Sequence, residues 1–247
     1  MPELDFTLDN ISASSVGITM QSAFKFTPAV PRVTTIQIAG RSGDLHIDEG
    51  AYNNRTGSVA CYALDATYTS GQPTANVTGK MDAVLAYLFG TSGYRKLQPN
   101  DDTGHYWYAR VSNGGDISAR LGLLNPFSIE FDCKPFRYVV GGETIIDNVT
   151  SLTEFINPTG FNAYPLIYVT ATGAGTISND SGEISILDDT HGEIIIDCED
   201  YRAYKANGTG ADYAIQADAF PYLRPGSDGF SITGDITVRV SPRYRTL

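Results

Sequence analysis

The densest group of side chains able to do chemistry is Asp188, Asp189, His191, Glu193, Asp197, Glu199 and Asp200. Carboxylates grouped this way suit two tasks, holding a hard cation such as calcium or working as a general acid–base pair. A calcium loop of the EF-hand type sets its oxygen ligands at fixed spacing around a central glycine and closes with a bidentate glutamate. This stretch lacks that spacing, and Asp188-Asp189-Thr190-His191-Gly192 reads as a turn between strands. A second polar group, Asp101, Asp102 and His105, precedes the aromatic run Tyr106-Trp107-Tyr108. Aromatic faces stack on pyranose rings, so the run offers a sugar platform. Strands of β proteins are rich in Tyr and Trp for packing alone, and that plainer reading is preferred.

Gly40-Arg41-Ser42-Gly43 has the glycines of a phosphate cradle but not its context. No helix pattern follows, and no Lys-Ser/Thr pair, so neither a P-loop nor a dinucleotide turn is supported. The expectation is a hairpin or bulge turn whose glycines supply positive φ. The three histidines, His46, His105 and His191, sit in apparent turns or surface strands, and no G-x-S-x-G elbow occurs. Cys61, Cys133 and Cys198 are far apart, odd in number and without a C-x-x-C pair, which argues against a disulfide framework or a zinc site. Cys133 continues the alternation of Phe127, Ile129 and Phe131, and Cys198 that of Ile194 and Ile196, so both read as small core residues. The expectation is therefore a chain that is not an enzyme, with no catalytic, cofactor-binding or metal-ligating residue and no cofactor.

The elements that would position these residues are mostly strands. Of the 247 residues, 25 are Gly and 15 Tyr, and only 18% are charged, which fits a turn-rich β protein better than a helical one. Apolar alternation marks Leu4, Phe6 and Leu8, then Phe24 and Phe26, then Ile36 and Ile38, with Pro28 and Pro31 breaking the run between. Residues 58–69 form a further strand candidate. One helix is expected at about residues 79–89, where Met81, Val84, Leu85 and Leu88 make one apolar stripe. Thr78 is placed as its N-cap and Gly90 as its C′ glycine. After Tyr138, short strands are expected at 165–171, 183–187, 193–198, 213–217 and 235–240, the pattern of an antiparallel sandwich.

Charge shifts at the same place. Residues 1–137 carry a net −2 and residues 138–247 a net −9, of a total −11. We place a domain boundary there, between 1–137 and 138–247. An acidic surface disfavours specific nucleic-acid binding and anionic membranes. No run approaches the roughly 18 apolar residues of a transmembrane helix. Met1-Pro2-Glu3-Leu4-Asp5 carries acid where a secretory signal carries Lys or Arg, so folding in a cytoplasm is expected. Without secretion the N-x-[ST] sites at Asn54, Asn76, Asn148, Asn179 and Asn207 carry no meaning.

The order of features adds to this reading. FTLDNISASSVGI is followed by IAGRSGDL, then by a helix ending in LAYLFG, then by GYRKLQPNDDTGHYWYARV and FSIEFDCKPFRY. NPTGFNAYPLIYVTATGAGTIS, GEIIIDCEDYRAYK, FPYLRPGSDGFSITG and a terminal VSPRYRTL complete the series. This order resembles the distal tail protein of long, non-contractile-tailed bacteriophages, over nearly the whole chain. Departures are Ala39 where that family has Pro, Ser42 where it has Asp, and Tyr244 where Trp is common.

The resemblance implies an N-terminal domain, sheet or β-sandwich with one helix, that assembles into a sixfold ring. It also implies a C-terminal galectin-like antiparallel β-sandwich facing outward. The ring would join the tail tube protein to tail-tip, lysin-type and receptor-binding proteins at the virion tail tip, after assembly in the host bacterial cytoplasm. Its lumen would pass DNA without holding it. The alternative is a carbohydrate-binding module for host-surface saccharide. Against it, residues 138–247 contain no tryptophan, the side chain that galectin sites stack on sugars. A wall hydrolase ranks third, for want of an acid–base pair.

Overall fold

The computed structural model describes residues 4–63, 77–114, 119–120, 123–124, 126–187 and 192–247. They form a mainly β protein with one α-helix among the described residues. Two compact units emerge, Met1–Arg137 with Leu247, and Tyr138–Thr246.

In the first unit an antiparallel sheet runs in the order Ile11–Ser12, Phe6–Leu8, Arg95–Pro99, His105–Asn113, Phe127–Val139, Arg55–Ala63, Ile18–Met20. Alternation dictates which face is buried. Phe127, Ile129, Phe131 and Cys133 are buried while Ser128 and Glu130 are exposed. Register then brings Cys61 opposite Phe127 and Val59 opposite Ile129, both buried too. Residues opposed in an antiparallel pair share a face, so one side of the sheet becomes the core. Asp9 and Asn10 close the first hairpin with φ of 52° and 66°, and the register pairs Leu8 with Ile11 across them. Two left-handed residues in a two-residue loop are what the right-handed twist of the strands requires.

The helix spans Val77–Phe89, so Thr78 lies inside it rather than capping it. Val84, Tyr87 and Leu88 are buried, but Leu85 is 39% exposed, against the expected stripe. At 100° per residue the buried trio centres near Val84 and Leu88, which leaves Leu85 on the flank. Tyr87 takes the expected place of Leu85. Its hydroxyl donates to Ile11 O at 2.8 Å and accepts from Leu8 N–H at 3.1 Å, tying the helix to the first hairpin. The side chain of Met81 and the strand candidate beyond Ala63 lie outside the described residues. Gly90 donates to Ala86 O at 2.8 Å without a left-handed φ; Gly93, at φ 91°, is the left-handed residue after the helix.

In the second unit the 14-residue strand Leu166–Asn179 organises the sheet. Ser231–Ser241 pairs along its length on one side. On the other, Gly192–Asp197 pairs with 166–171 and Gly182–Ile186 with 175–179. The change of partner coincides with a register shift between Ala171 and Gly175. There Gly234 has φ 86°, and a Cβ on it would lie 2.2 Å from Ala174 O. Only glycine permits that bend. The curled sheet closes over Ile167, Val169, Ile177, Ile184, Ile194, Ile196, Val238 and Val240. The strands at 215–219 and 231–241 are displaced or longer than expected, because a 3-10 turn occupies Asp212–Ala214 and the pairing of Ser231–Ser241 continues past the bend.

Candidate assembly surface

The Gly40–Gly43 turn belongs to a long hairpin. Pro31–Ile36 pairs antiparallel with Leu45–Tyr52, with Ile36 opposite Leu45 and Thr34 opposite Ile47. Pro31 thus opens a strand, a position where its missing N–H costs no ladder bond. Gly40 and Gly43 have φ of 79° and 85°, and Arg41 N–H donates to Ile38 O at 3.1 Å. These are the positive φ values of a hairpin turn, as the spacing implied. No phosphate cradle is formed, since no helix follows.

The burial of this ribbon departs from its sequence pattern. Every residue from Pro31 to Gly50 is exposed, the apolar ones included: Val33, Ile36, Leu45 and Ile47 show 45%, 41%, 37% and 46% of their surface. Register puts Ile36, Leu45 and Ile47 on one face, where Thr34 also lies and donates to Glu49 at 2.5 Å. Thr35 and His46 stand opposite each other on the other face, 3.1 Å apart at Oγ1 and Nδ1. A two-stranded ribbon without a core is marginally stable in water. Full burial of an aliphatic side chain of this size contributes about 1.5–3 kcal/mol. An exposed apolar ribbon face is therefore a candidate association surface. Leu85 and Phe89, four residues apart on the helix, add a second exposed apolar pair.

The acidic cluster singled out by sequence has a different use. Asp188, Asp189 and His191 lie outside the described residues. Asp197 is paired with Arg243 at 2.6 Å, both side chains more than nine-tenths buried. Glu199 accepts from Tyr138 Oη at 2.7 Å and from Arg245 at 3.1 Å, and Glu193 is paired with Arg239. Arg243 also donates to Tyr164 O at 2.8 Å. Burial alone would raise the Asp197 pKa; the Arg243 hydrogen bond and charge, with the N–H groups of Glu199 and Asp200, outweigh it and hold the carboxyl below its ordinary range. For Arg243 burial works downward and Asp197 upward, and the net shift is upward. These carboxylates are committed to arginines of the C-terminal segment, which leaves no open ligand set among them. Sequence reading missed this because Asp197 and Arg243 are far apart in the chain and nothing local links them.

The other polar group forms a surface turn. Asp102 accepts from Arg137 at 3.2 Å and lies 2.9 Å from His105 Nδ1. Tyr106 and Trp107 are fully and 96% buried respectively, with the Trp107 ring stacked on Phe26 at 4.2 Å. Buried rings offer no platform for a sugar. Cys61, Cys133 and Cys198 are all buried thiols; burial pushes the first two up to about 12 and the third higher still.

No protein-family profile matches the sequence, and no curated protein matches it. Among solved structures the fold is similar to that of the Dit protein of phage SPP1, described as a paradigm of the hub adsorption apparatus in phages infecting Gram-positive bacteria. The likeness covers 99% of each chain with a TM-score of 0.62 at 15% identity, and it establishes the fold that the two share.

Proposed function

We propose that this chain is a structural protein of a phage tail, a distal tail hub that assembles into a hexameric ring. The observation that carries the proposal is the exposed ribbon Pro31–Tyr52, whose apolar face is left exposed by the described residues of its own unit. A fold shared end to end with a hub adsorption protein supplies the context. In a ring, the ribbon of each copy lies on the next, a heterologous contact that closes by rotation. Residues 1–137 then form the ring, and 138–247 a galectin-like sandwich.

One side of the ring docks the tail tube protein and the other the tail-tip, lysin-type and receptor-binding proteins, at the tip of the virion tail. The role is structural, without a catalytic step. Residues 1–137, which form the ring, carry a net −2 and so bring no surplus of positive charge that would retain the phosphates of DNA sliding through its lumen.

Solution mass tests the ring. Light scattering on the full-length protein should give about 160 kDa, six times the 26.6 kDa chain. Placing aspartate at Ile36 and Ile47 should return it to a monomer that still unfolds cooperatively, at a melting temperature lowered only by the loss of association. A native protein that stays monomeric at high concentration, or a double variant that remains hexameric, would defeat the proposal.

A further inference from the structure

The first unit contains a cavity of about 390 Å³ lined by Phe24, Phe26, Arg55, Asp102, Trp107 and Arg137, among others. Its chemistry is unusual for a packing fault. The Nε atoms of Arg55 and Arg137 and the indole Nε1 of Trp107 are all buried, and none has a hydrogen-bond partner among the described residues. Trp107 itself is only 4% exposed. A buried donor left unmade costs about 1–3 kcal/mol, and three on residues that line one cavity point to an acceptor that belongs there.

We propose that this cavity binds a carboxylate, which accepts from Arg55 Nε, Arg137 Nε and Trp107 Nε1 while its apolar tail rests on Phe24 and Phe26. A guanidinium edge is a planar fork matched to a two-oxygen acceptor. Charge selects among oxyanions. Arg55 and Arg137 are offset by Asp101 and Asp102, which also line the cavity, and Asp102 already holds Arg137 at 3.2 Å. With two carboxylates and Leu247 also on the lining, a phosphate dianion is repelled more strongly than a monoanion. Burial lowers the Arg55 pKa, Cys133 opposes this, and the like charge of Arg137 lowers it further, so the two guanidiniums feel one another. An anion between them relieves that repulsion. The volume falls within the range of small-ligand sites, which begins at about 300 Å³. The same carboxylate chemistry is presented by a free small acid and by a Glu side chain on a partner protein. The site stands apart from the ring proposal, and its outcome leaves that proposal untouched.

Trp107 is the sole tryptophan of the chain, so its emission reads the cavity directly. Full-length protein is titrated with hexanoate, with an end-blocked Gly-Glu-Gly peptide and with inorganic phosphate. Hexanoate or the peptide should shift the emission saturably, and phosphate more weakly than either. The tighter of the two carboxylates identifies the source, free acid or partner side chain. Arg55→Lys keeps the charge but loses the fork, and should weaken binding about tenfold or more. Its melting curve checks that the variant folds, and Arg137→Lys repeats the test from the other side. Absence of saturation with both carboxylates, tighter binding of phosphate, or unchanged affinity in both lysine variants overturns the site.

Discussion

The ribbon Pro31–Tyr52 and the cluster around Asp197 invert the usual distribution of residues in opposite ways. The ribbon holds isoleucines and leucine in the open. The cluster holds an aspartate and an arginine in the interior. The cluster's groups have their partners within the unit, since Arg243, Arg245 and Tyr138 meet the charge or hydrogen-bonding need of Asp197 and Glu199. The ribbon's apolar face stays exposed among the described residues of the unit that carries it. A satisfied anomaly supports the fold of one chain, whereas an unsatisfied one calls for another molecule.

Substitutions in each region should therefore fail in different ways. The largest effect is expected for Ile36→Asp with Ile47→Asp, which should abolish association while leaving the monomer's denaturation midpoint nearly in place. Arg243→Met should do the reverse, costing about 3–5 kcal/mol by stranding Asp197 as an unpaired buried charge. Urea unfolding of the variant would show it, and a loss below 1 kcal/mol would mean the pair is hydrated. On the helix, Leu88→Ala should cost about 2–5 kcal/mol as a cavity in the core. Leu85→Ala should change monomer stability by no more than about 0.5 kcal/mol, as an exposed site does. Equal losses at the two leucines would erase the distinction between covered and uncovered faces.

A smaller effect concerns pH. The Asp197 carboxyl is held below the ordinary value of 3.8, so its stabilisation is complete above that pH and is lost as pH falls through the depressed folded value. Denaturation midpoints should decline with acid below about pH 4, and Asp197→Asn should flatten that decline. A slope unaltered by the substitution would assign the acid sensitivity to other carboxylates.

Much of this was legible in residue order. The alternation through Phe127, Ile129, Phe131 and Cys133 marks a half-buried strand, and the structure buries those four side chains on one face. The Gly40–Gly43 turn was readable because positive φ leaves few alternatives to glycine. Leu85 was misplaced because i, i+3, i+4 periodicity also fits a stripe shifted by one residue, and Tyr87 scores as less apolar than leucine. The exposure of the ribbon could not be read, since Ile36 and Ile38 alternate as core residues do. Whether an apolar face meets its own chain or another is a property of topology. The Asp197–Arg243 pair and the unmatched donors of Arg55, Arg137 and Trp107 depend on long-range juxtaposition, which leaves no local pattern.

The three cysteines have a consequence for durability. Each thiol is fully buried, and none is joined to another. With pKa values at about 12 for Cys61 and Cys133, the reactive thiolate is a trace species near neutrality. Oxidation and alkylation must then wait for the surrounding sheet to open. Labelling rates of Cys61 and Cys133 in one unit and Cys198 in the other become separate clocks for the opening of each. Air and peroxide would find none of these three sulfurs at the surface, and the thiols would oxidise only as fast as the sheets around them open.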